Sequence, residues 1–302
     1  MQALTQHPPS PMQVFQHPLL VDHGLRCWIK RDDLLHMEAW PGDQAFCGNK
    51  WRKLKYNLLE ARTHGYTALL TFGGAYSNHI AATASAGKLF GFKTIGIIRG
   101  EKTQPLNPTL TFAQNCGMEL QFWTREQFRR KEEPEILAQL QQQYPSAYLL
   151  PEGGTNELAL QGCAELAEEI LAQEEVDYIC LSCGTGGTLA GLIQGLAGRS
   201  FALGFSALKG DFHRAAVRDL LVPATWINWD ICTDYHFGGY AKTPPALLDF
   251  LVEMKTYDLP LEPIYTAKML WGVLDLVQKG FFPRDSRICV VHTGGMQGWK
   301  KD

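Results

Sequence analysis

The chain has 302 residues, of which 45% are hydrophobic and 20% are charged, so it can bury a large core and is too long for one small domain. Its formal net charge of −3, with no block of like charge at either end, excludes a general electrostatic attraction to nucleic acid or acidic membranes. Because the start has no charged segment followed by an apolar one and no apolar run is long enough to span a bilayer, we expect a cytoplasmic protein.

Short β-rich runs alternate along the chain with longer helical patterns. The predicted strands are CWIKRDD, ALLTF, TIGIIRG, ELQFW, AYLLP, VDYICLS, FALGFSA, TWINWD and RICVVHTGG. The predicted helices lie near residues 51–63, 77–90, 108–116, 131–143, 157–173, 187–197, 211–221, 245–255 and 266–278. This alternation is typical of βαβ units, so we predict an α/β fold whose mostly parallel strands are covered by helices on both faces.

The first cluster of polar residues lies in CGNKWRKLKYN, where four cations occupy the start of a predicted helix. The helix dipole disfavours an exposed cation there by a few tenths to about 1 kcal/mol, so the cations need solvent or anionic partners. Spacing alone predicts a solvated face for Arg52, Lys53 and Lys55. Lys50 differs because the preceding Gly-Asn predicts a tight turn that holds its side chain near the strand ends. A partly desolvated lysine with cationic neighbours has a lowered pKa and can attack a carbonyl, which makes Lys50 the candidate imine-forming residue.

The next loop, TFGGAYSNH, precedes a helix rich in small residues. Ser77 suits the N-cap position of that helix, which is the plain structural interpretation. The N–H groups of a helix start also bind a carboxylate well. In that case Asn78 and His79 lie where they can contact a group carried by Lys50.

A glycine-rich turn in VDYICLSCGTGGTLAGLI joins a buried strand to a helix that opens at about Thr188. Converging backbone N–H groups and the positive helix end favour a phosphate, and the hydroxyls of Thr185 and Thr188 add donors. The spacing fits neither the dinucleotide motif nor the Walker motif, so we expect a phosphate smaller than a pyrophosphate. The alternative is a turn that only lets the strand enter a close-packed helix.

Eight cysteines in such a chain are best interpreted as reduced core residues. Cys180 and Cys183 have C-x-x-C spacing, which leaves a redox role as an alternative, but no second pair completes a zinc site. The remaining aromatic and histidine residues that stand alone are interpreted as structural: His213, His236, His292, Trp226 and Trp229.

Six segments occur in an order that resembles a known family: IKRDDL, GNKWRKL, GGAYSNH, GTGGT, EPIYTAK and HTGG. The chain resembles the pyridoxal-phosphate enzymes related to 1-aminocyclopropane-1-carboxylate deaminase and D-cysteine desulfhydrase, which have the tryptophan-synthase-β-like fold (fold type II). The resemblance implies a large domain of residues 1–50 and 151–302, a small α/β domain of residues 51–150, and a cofactor in the cleft between them. It also implies a homodimer that acts on a small amino acid.

The resemblance further implies that Lys50 binds pyridoxal 5'-phosphate covalently, that Asn78 contacts the cofactor ring, and that Ser77 meets the substrate carboxylate. Tyr240 and Tyr265 are implied on the substrate side, as acid/base or positioning groups. The cofactor phosphate is implied to lie against Gly184, Thr185, Gly186, Gly187 and Thr188. His79 and Tyr76 complete the substrate side; Tyr76 stands where family members have glutamine, so it bears on substrate size or stereochemistry.

Two further positions bear on the reaction. In the deaminases the residue matching Thr266 is a glutamate that hydrogen-bonds the pyridine nitrogen, and a leucine matches Thr293, whereas the D-cysteine desulfhydrases have threonine at both. A glutamate there makes the ring a strong electron sink, and threonine carries no such charge. We therefore expect elimination from D-cysteine, giving pyruvate, ammonia and hydrogen sulfide.

Three alternatives stay open from the sequence. Deamination of 1-aminocyclopropane-1-carboxylate to 2-oxobutyrate, or lysis of another small amino acid, is the alternative within the enzyme class. A dinucleotide-dependent dehydrogenase lacks the acidic residue expected about 20 residues beyond the glycine turn, where SALKG lies. A non-catalytic ligand-binding protein that retains the fold is the third.

Overall fold

The computed structural model describes Leu4, residues 7–35 and residues 45–296. Its strands are β1 (Met12–Val14), β2 (Arg26–Lys30), β3 (Ala68–Gly74), β4 (Lys93–Arg99), β5 (Met118–Trp123), β6 (Ala147–Leu150), β7 (Tyr178–Cys183), β8 (Phe201–Ser206), β9 (Trp229–Cys232) and β10 (Arg287–Val291). Its longer helices are α1 (Pro18–Asp22), α2 (Gly48–Thr63), α3 (Asn78–Phe90), α4 (Pro108–Asn115), α5 (Arg125–Arg129), α6 (Pro134–Gln143), α7 (Glu157–Gln173), α8 (Gly187–Leu196), α9 (Phe212–Leu221), α10 (Pro245–Lys255) and α11 (Thr266–Gln278).

The strands form two sheets. The six-stranded sheet has the order β1-β2-β10-β7-β8-β9, and all its pairs are parallel except β1 with β2. The four-stranded sheet has the order β5-β4-β3-β6 and is wholly parallel. The predicted α/β class with mostly parallel strands is confirmed.

Both faces of each sheet are covered, as the continuous apolar strands predict. In β10, Ile288 and Val290 pack with α10 and α11, whereas Cys289 and Val291 pack with α7 and α8 on the other face. In β3, Leu69 packs with α2 and α3, whereas Leu70 packs with α6 on the other face. Successive side chains on a strand point to opposite faces, so a strand buried on both sides must be apolar throughout.

Several boundaries differ from those expected from the sequence. The helix expected at 131–143 begins at Pro134, because proline at the first helical position has no N–H to lose. A separate short helix, α5, precedes it and carries a Thr124–Gln127 capping box. The sequence pattern also missed the short elements β1 and α1 and placed the strand near TWINWD too early in the chain.

The four-stranded sheet lies wholly within residues 51–150 and the six-stranded sheet wholly outside them. The boundaries of the two domains stay a prediction. Within the described residues, no helix is long and apolar enough to cross a membrane. None of the eight cysteines, all of which are described, forms a disulfide, and burial raises the pKa of both Cys180 and Cys183.

Helix α2 departs most clearly from expectation, because the predicted solvated face of Arg52, Lys53 and Lys55 is wrong. These side chains are 1%, 2% and 5% exposed, respectively. The apolar side of the helix, with Leu54 and Leu58, packs on the four-stranded sheet, and its basic side faces α7. These three cations therefore need partners within the protein.

Arg52 binds two carboxylates with two hydrogen bonds each. Its Nε and Nη2 donate to Asp32 at 2.7 and 2.8 Å, and Nη1 and Nη2 donate to Glu169 at 2.9 Å each. Lys30 donates to Glu169 at 3.1 Å as a further cation. Burial opposes ionisation of Glu169, but hydrogen bonds from Arg52 and attraction to Arg52 and Lys30 outweigh it and lower the pKa of this carboxyl to about 2. This network ties α2 to the end of β2 and to α7.

We expect Arg52→Met to lower the free energy of unfolding by about 3–5 kcal/mol, because it leaves the fully buried Asp32 without its cation. Lys55→Met on the same helix is the matched control. Its partner Glu165 is 30% exposed and, without the lysine, keeps water and the Tyr56 hydroxyl as donors, so we expect a smaller loss. Urea unfolding of both variants measures the difference, and equal losses would contradict the importance of the Arg52 network.

Candidate active site

The glycine loop between β7 and α8 lies at the carboxyl end of a central strand. Gly186 is the N-cap of α8 with φ of +85°, a conformation that favours glycine, and the helix begins at Gly187, where the predicted range 187–197 also begins. A methyl group at Gly187 would lie 2.6 Å from Thr155 Cγ2 and 3.0 Å from Lys53 Nζ. The loop therefore needs glycine here, because the PEGGT loop before α7 packs closely against it.

Lys53 places an ammonium beneath this loop. Its Nζ donates to Gly153 O at 3.0 Å, to Thr155 Oγ1 at 2.9 Å and to Thr185 Oγ1 at 3.2 Å. These acceptors are all neutral, and burial lowers the pKa of the amine. No carboxylate in the described part of the chain forms an ion pair with it. The helix start and the ammonium together give the loop a positive field suited to an anion.

Lys50 lies next to the glycine loop, connected to it through one side chain. Its Nζ donates to Asn49 Oδ1 at 3.0 Å, and Asn49 Nδ2 donates to Thr188 Oγ1 at 3.1 Å. Burial, and then the positive charge of Lys53, lower the pKa of Lys50 to about 7. A substantial fraction of this amine is therefore neutral and nucleophilic at neutral pH, as the sequence predicts.

The HTGG loop after β10 fixes the first turn of α2. Gly48 has φ of +57°, and a methyl group on it would lie 2.2 Å from Thr293 O. The same carbonyl accepts from Asn49 N at 3.2 Å, and the Thr293 hydroxyl lies 3.2 Å from Ser182 Oγ. Only glycine allows the backbone to approach this closely, so GNK and HTGG position the lysine together.

The start of α3 lies near the HTGG loop. Ser77 Oγ accepts from Ile80 N at 3.3 Å, which confirms the N-cap interpretation. Asn78 reaches the HTGG loop, since a methyl group at Gly295 would lie 2.6 Å from its Nδ2. Tyr76 is 56% exposed. Asn78 is thus brought to the loop that positions Lys50, while the substrate-side roles of Ser77 and Tyr76 stay a prediction.

His79 is buried, unlike Tyr76. The ring is 1% exposed, its Nε2 lies 2.8 Å from Thr71 Oγ1, and Nδ1 has no hydrogen-bond partner within the described residues. Burial and the charges of Lys50 and Lys53 lower the pKa of His79 well below its ordinary value. It is a neutral, buried residue behind the helix start.

Tyr265 and Tyr240 pack together over the glycine loop. A methyl group at Gly184 would lie 3.4 Å from the Tyr265 ring, and the two tyrosine ring centroids are 6.0 Å apart. Burial raises the pKa of both, that of Tyr265 much further, while a hydrogen bond from Tyr265 partly offsets the rise for Tyr240. Arg99 at the end of β4 acts on Tyr240 in the same direction. Tyr240 is thus the more acidic hydroxyl of the pair.

The motif EPIYT also contains a carboxylate that the sequence did not single out. Glu262 is 3% exposed and accepts from Ile264 N, Tyr265 N and Thr266 N at 2.8, 2.7 and 2.6 Å, which satisfies the first turn of α11. The Thr266 hydroxyl donates to Glu262 O at 3.2 Å and accepts from Glu262 N at 3.0 Å. Glu262 therefore fixes where Tyr265 stands.

The histidines and tryptophans interpreted as structural lie in such positions. His292 is fully buried, with Nε2 2.7 Å from Pro260 O and Nδ1 accepting from Gly294 N. His213 is 1% exposed and lies 3.2 Å from Ser206 Oγ, and His236 Nδ1 accepts a backbone N–H. Trp226 and Trp229 pack on the core between β7 and α8.

Residues 9–294 match the model of a family described as "Pyridoxal-phosphate dependent enzyme". The chain is 31% identical, over 91% of its length and 86% of the relative's, to a Pyrococcus horikoshii protein whose name assigns 1-aminocyclopropane-1-carboxylate deaminase activity provisionally. It is 28% identical to the D-cysteine desulfhydrase of Klebsiella pneumoniae, over 95% of this chain and 92% of that one. The crystal structure of an ACC deaminase homologue matches with a TM-score of 0.80 at 28% identity, covering 97% and 91% of the two chains.

The electrostatics of Lys50 can be tested without turnover. After removal of any bound cofactor, its labelling by an amine-directed acylating reagent should reach half its maximal rate near pH 7, because only the neutral amine reacts. Lys53→Met should move this midpoint to higher pH, because it removes a positive charge that lowers the pKa. Peptide mass spectrometry measures the labelling of Lys50 in the wild type and in Lys53→Met, with the exposed Lys93 as internal reference. Identical pH curves for Lys50 and Lys93 would refute the lowered pKa.

Proposed function

Because the chain belongs to the pyridoxal-phosphate dependent enzymes, in the family of 1-aminocyclopropane-1-carboxylate deaminases and D-cysteine desulfhydrases, we propose that it eliminates hydrogen sulfide from D-cysteine. The Cα–H and Cβ–S bonds break, sulfur leaves with its bonding electrons as hydrosulfide, and the released 2-aminoacrylate takes up water to give pyruvate and ammonia. The observation that carries the proposal is a lysine with a pKa of about 7, connected through Asn49 to a glycine loop against which the Lys53 amine lies.

The residues present fit pyridoxal phosphate. Lys50 offers an amine that attacks an aldehyde at neutral pH, and the loop 184–188 with Lys53 offers backbone N–H groups, hydroxyls and a cation to a phosphate. Asn78, close to the HTGG loop, is the polar group proposed to contact the ring. When bound, this cofactor supplies an electron-withdrawing ring that accepts the electron pair left on Cα.

The chain's own groups then have distinct tasks. Lys50 is the base that removes the Cα proton, as its pKa near the working pH favours. Ser77 and the N-terminal turn of α3 bind the substrate carboxylate. Tyr240, the more acidic hydroxyl of the tyrosine pair, protonates the departing sulfur, and Tyr265 orients it.

The environment of Thr266 supports elimination over ring opening. Its hydroxyl is engaged by the Glu262 backbone on both sides, and it carries no charge with which to hold a proton on a ring nitrogen. The nearby Glu262 carboxylate is occupied by three backbone N–H donors. A weak electron sink suffices when thiolate leaves with the developing charge, whereas opening a cyclopropane needs a stronger one.

Deamination of 1-aminocyclopropane-1-carboxylate is the second candidate, which the names of the Pyrococcus relative and the solved homologue favour. The dehydrogenase interpretation is set aside by the family, and so is the non-catalytic one. We also propose the two-domain division at residues 50 and 150, a homodimer, and a cytoplasmic location.

Purified protein should release pyruvate from D-cysteine and less keto acid from L-cysteine, other small D- and L-amino acids and 1-aminocyclopropane-1-carboxylate. Pyruvate and 2-oxobutyrate are measured separately while the cofactor's visible absorbance is followed. Lys50→Ala should reduce turnover by at least about 10²–10⁴-fold, because the general base is lost. Turnover of another compound in place of D-cysteine would refute the substrate but not the cofactor.

Thr266→Glu combined with Thr293→Leu should move the ratio of 2-oxobutyrate to pyruvate upward, because a carboxylate can then stabilise a protonated ring nitrogen. The ratio is measured under competition between D-cysteine and 1-aminocyclopropane-1-carboxylate. Thr256→Glu, at the exposed C-terminal end of α10, is the control for an added charge. An unchanged or lower ratio in the double variant would contradict the role given to position 266.

A further inference from the structure

The segment that carries Tyr240 has an uncommon backbone. Four of its residues have positive φ: Phe237 (+52°), Gly238 (+92°), Gly239 (+125°) and Ala241 (+58°). Positive φ is uncommon for residues with a side chain, and such conformations persist only where the surroundings fix them. A constraint from outside the segment is therefore needed to keep Tyr240 where it is.

Lys268 supplies two hydrogen bonds to this segment. Its Nζ donates to His236 O at 3.1 Å and to Gly239 O at 2.9 Å, and the side chain is 1% exposed. Within the described residues no carboxylate pairs with it; Glu262 acts on it only at longer range, and burial lowers its pKa. Burying an ammonium with only two neutral carbonyls as acceptors costs free energy, so we expect Lys268 to have a specific role.

The position of Lys268 in the sequence connects it to the other tyrosine. Tyr265 is the N-cap of α11, and Lys268 lies three residues later, in the first turn of that helix. One helix end thus carries Tyr265 itself and the cation that holds the Tyr240 segment. The two tyrosine rings meet at a centroid distance of 6.0 Å.

We propose that Lys268 is a positioning residue, which holds segment 236–241 so that the Tyr240 hydroxyl lies against Tyr265 above the glycine loop. Its catalytic consequence rests on the proposed function, but the hold on the segment does not. The competing interpretation is that Lys268 only stabilises the fold, and it predicts effects on stability alone.

The first measurement needs no turnover. Amide hydrogen exchange of Gly238, Gly239 and Lys242, whose N–H groups are hydrogen-bonded within the segment, should accelerate in holoenzyme carrying Lys268→Met. Lys255→Met, an exposed lysine in the last turn of α10, is the control for loss of a lysine and should leave these amides protected. Unchanged exchange in Lys268→Met would overturn the proposal.

The second measurement is a double-mutant cycle with Tyr240→Phe. Lys268→Met should lower kcat by about 100-fold with little change in KM, because a displaced group near the chemistry has an effect of this size. In the Tyr240→Phe background the same substitution should lower kcat no further, because both changes act through one hydroxyl. Independent, additive losses in kcat would overturn the positioning role.

Two outcomes separate this inference from the proposed function. A wild-type enzyme that turns over D-cysteine but gives an additive cycle refutes Lys268 alone. A wild-type protein that turns over no amino acid refutes the proposed function, and the exchange measurement then decides on Lys268. If Lys268→Met does not fold, Lys268→Leu, which likewise removes both hydrogen bonds to the segment, takes its place in both measurements.

Discussion

The double bidentate pairing of Arg52 with Asp32 and Glu169 is the constraint on which the site depends. A helix that starts with four cations opposes its own dipole, and here the basic side is also buried. The two carboxylates compensate the most deeply buried charge and hold the first two turns of α2 against the large sheet and α7. Lys50 and Lys53 stand on either side of Arg52 in the chain, so their positions follow from its anchorage.

The four cations at the start of α2 divide into two kinds. Arg52 and Lys55 have carboxylate partners and are structural. Within the described residues, Lys50 and Lys53 donate only to neutral oxygens, and burial lowers the pKa of both. The carboxylates that neutralise the first pair make it less costly to bury the second, and the second pair leaves positive charge without a carboxylate partner, which suits the anion and the aldehyde of the proposed function. This basic stretch looks uniform in sequence, but two of its cations stabilise the fold and the other two are those to which the proposed function gives chemical roles.

The alternation of strands and helices made the fold class predictable, because apolar strands buried on both faces are visible in sequence. The glycine turns and Lys50 were predictable for a similar reason, since their local motifs carry the chemistry. The solvated face of α2 was mispredicted because the partners of Arg52 lie far away in the chain, at Asp32 and Glu169. Lys268 was missed for the same reason, because it acts on carbonyls of a distant loop. Glu262 was missed although its partners are the next few residues, because no spacing reveals the turn that it caps.

The approach of Gly48 to the Thr293 carbonyl has a consequence for how the protein folds. The turn before Lys50 is completed by a backbone group that follows the last strand, β10. An early segment of the chain therefore cannot reach its final geometry until a late one has docked beside it, with β10 inserted between β2 and β7. A substitution that shifts the backbone after β10 would displace the lysine turn as well, so the two distant segments are structurally coupled.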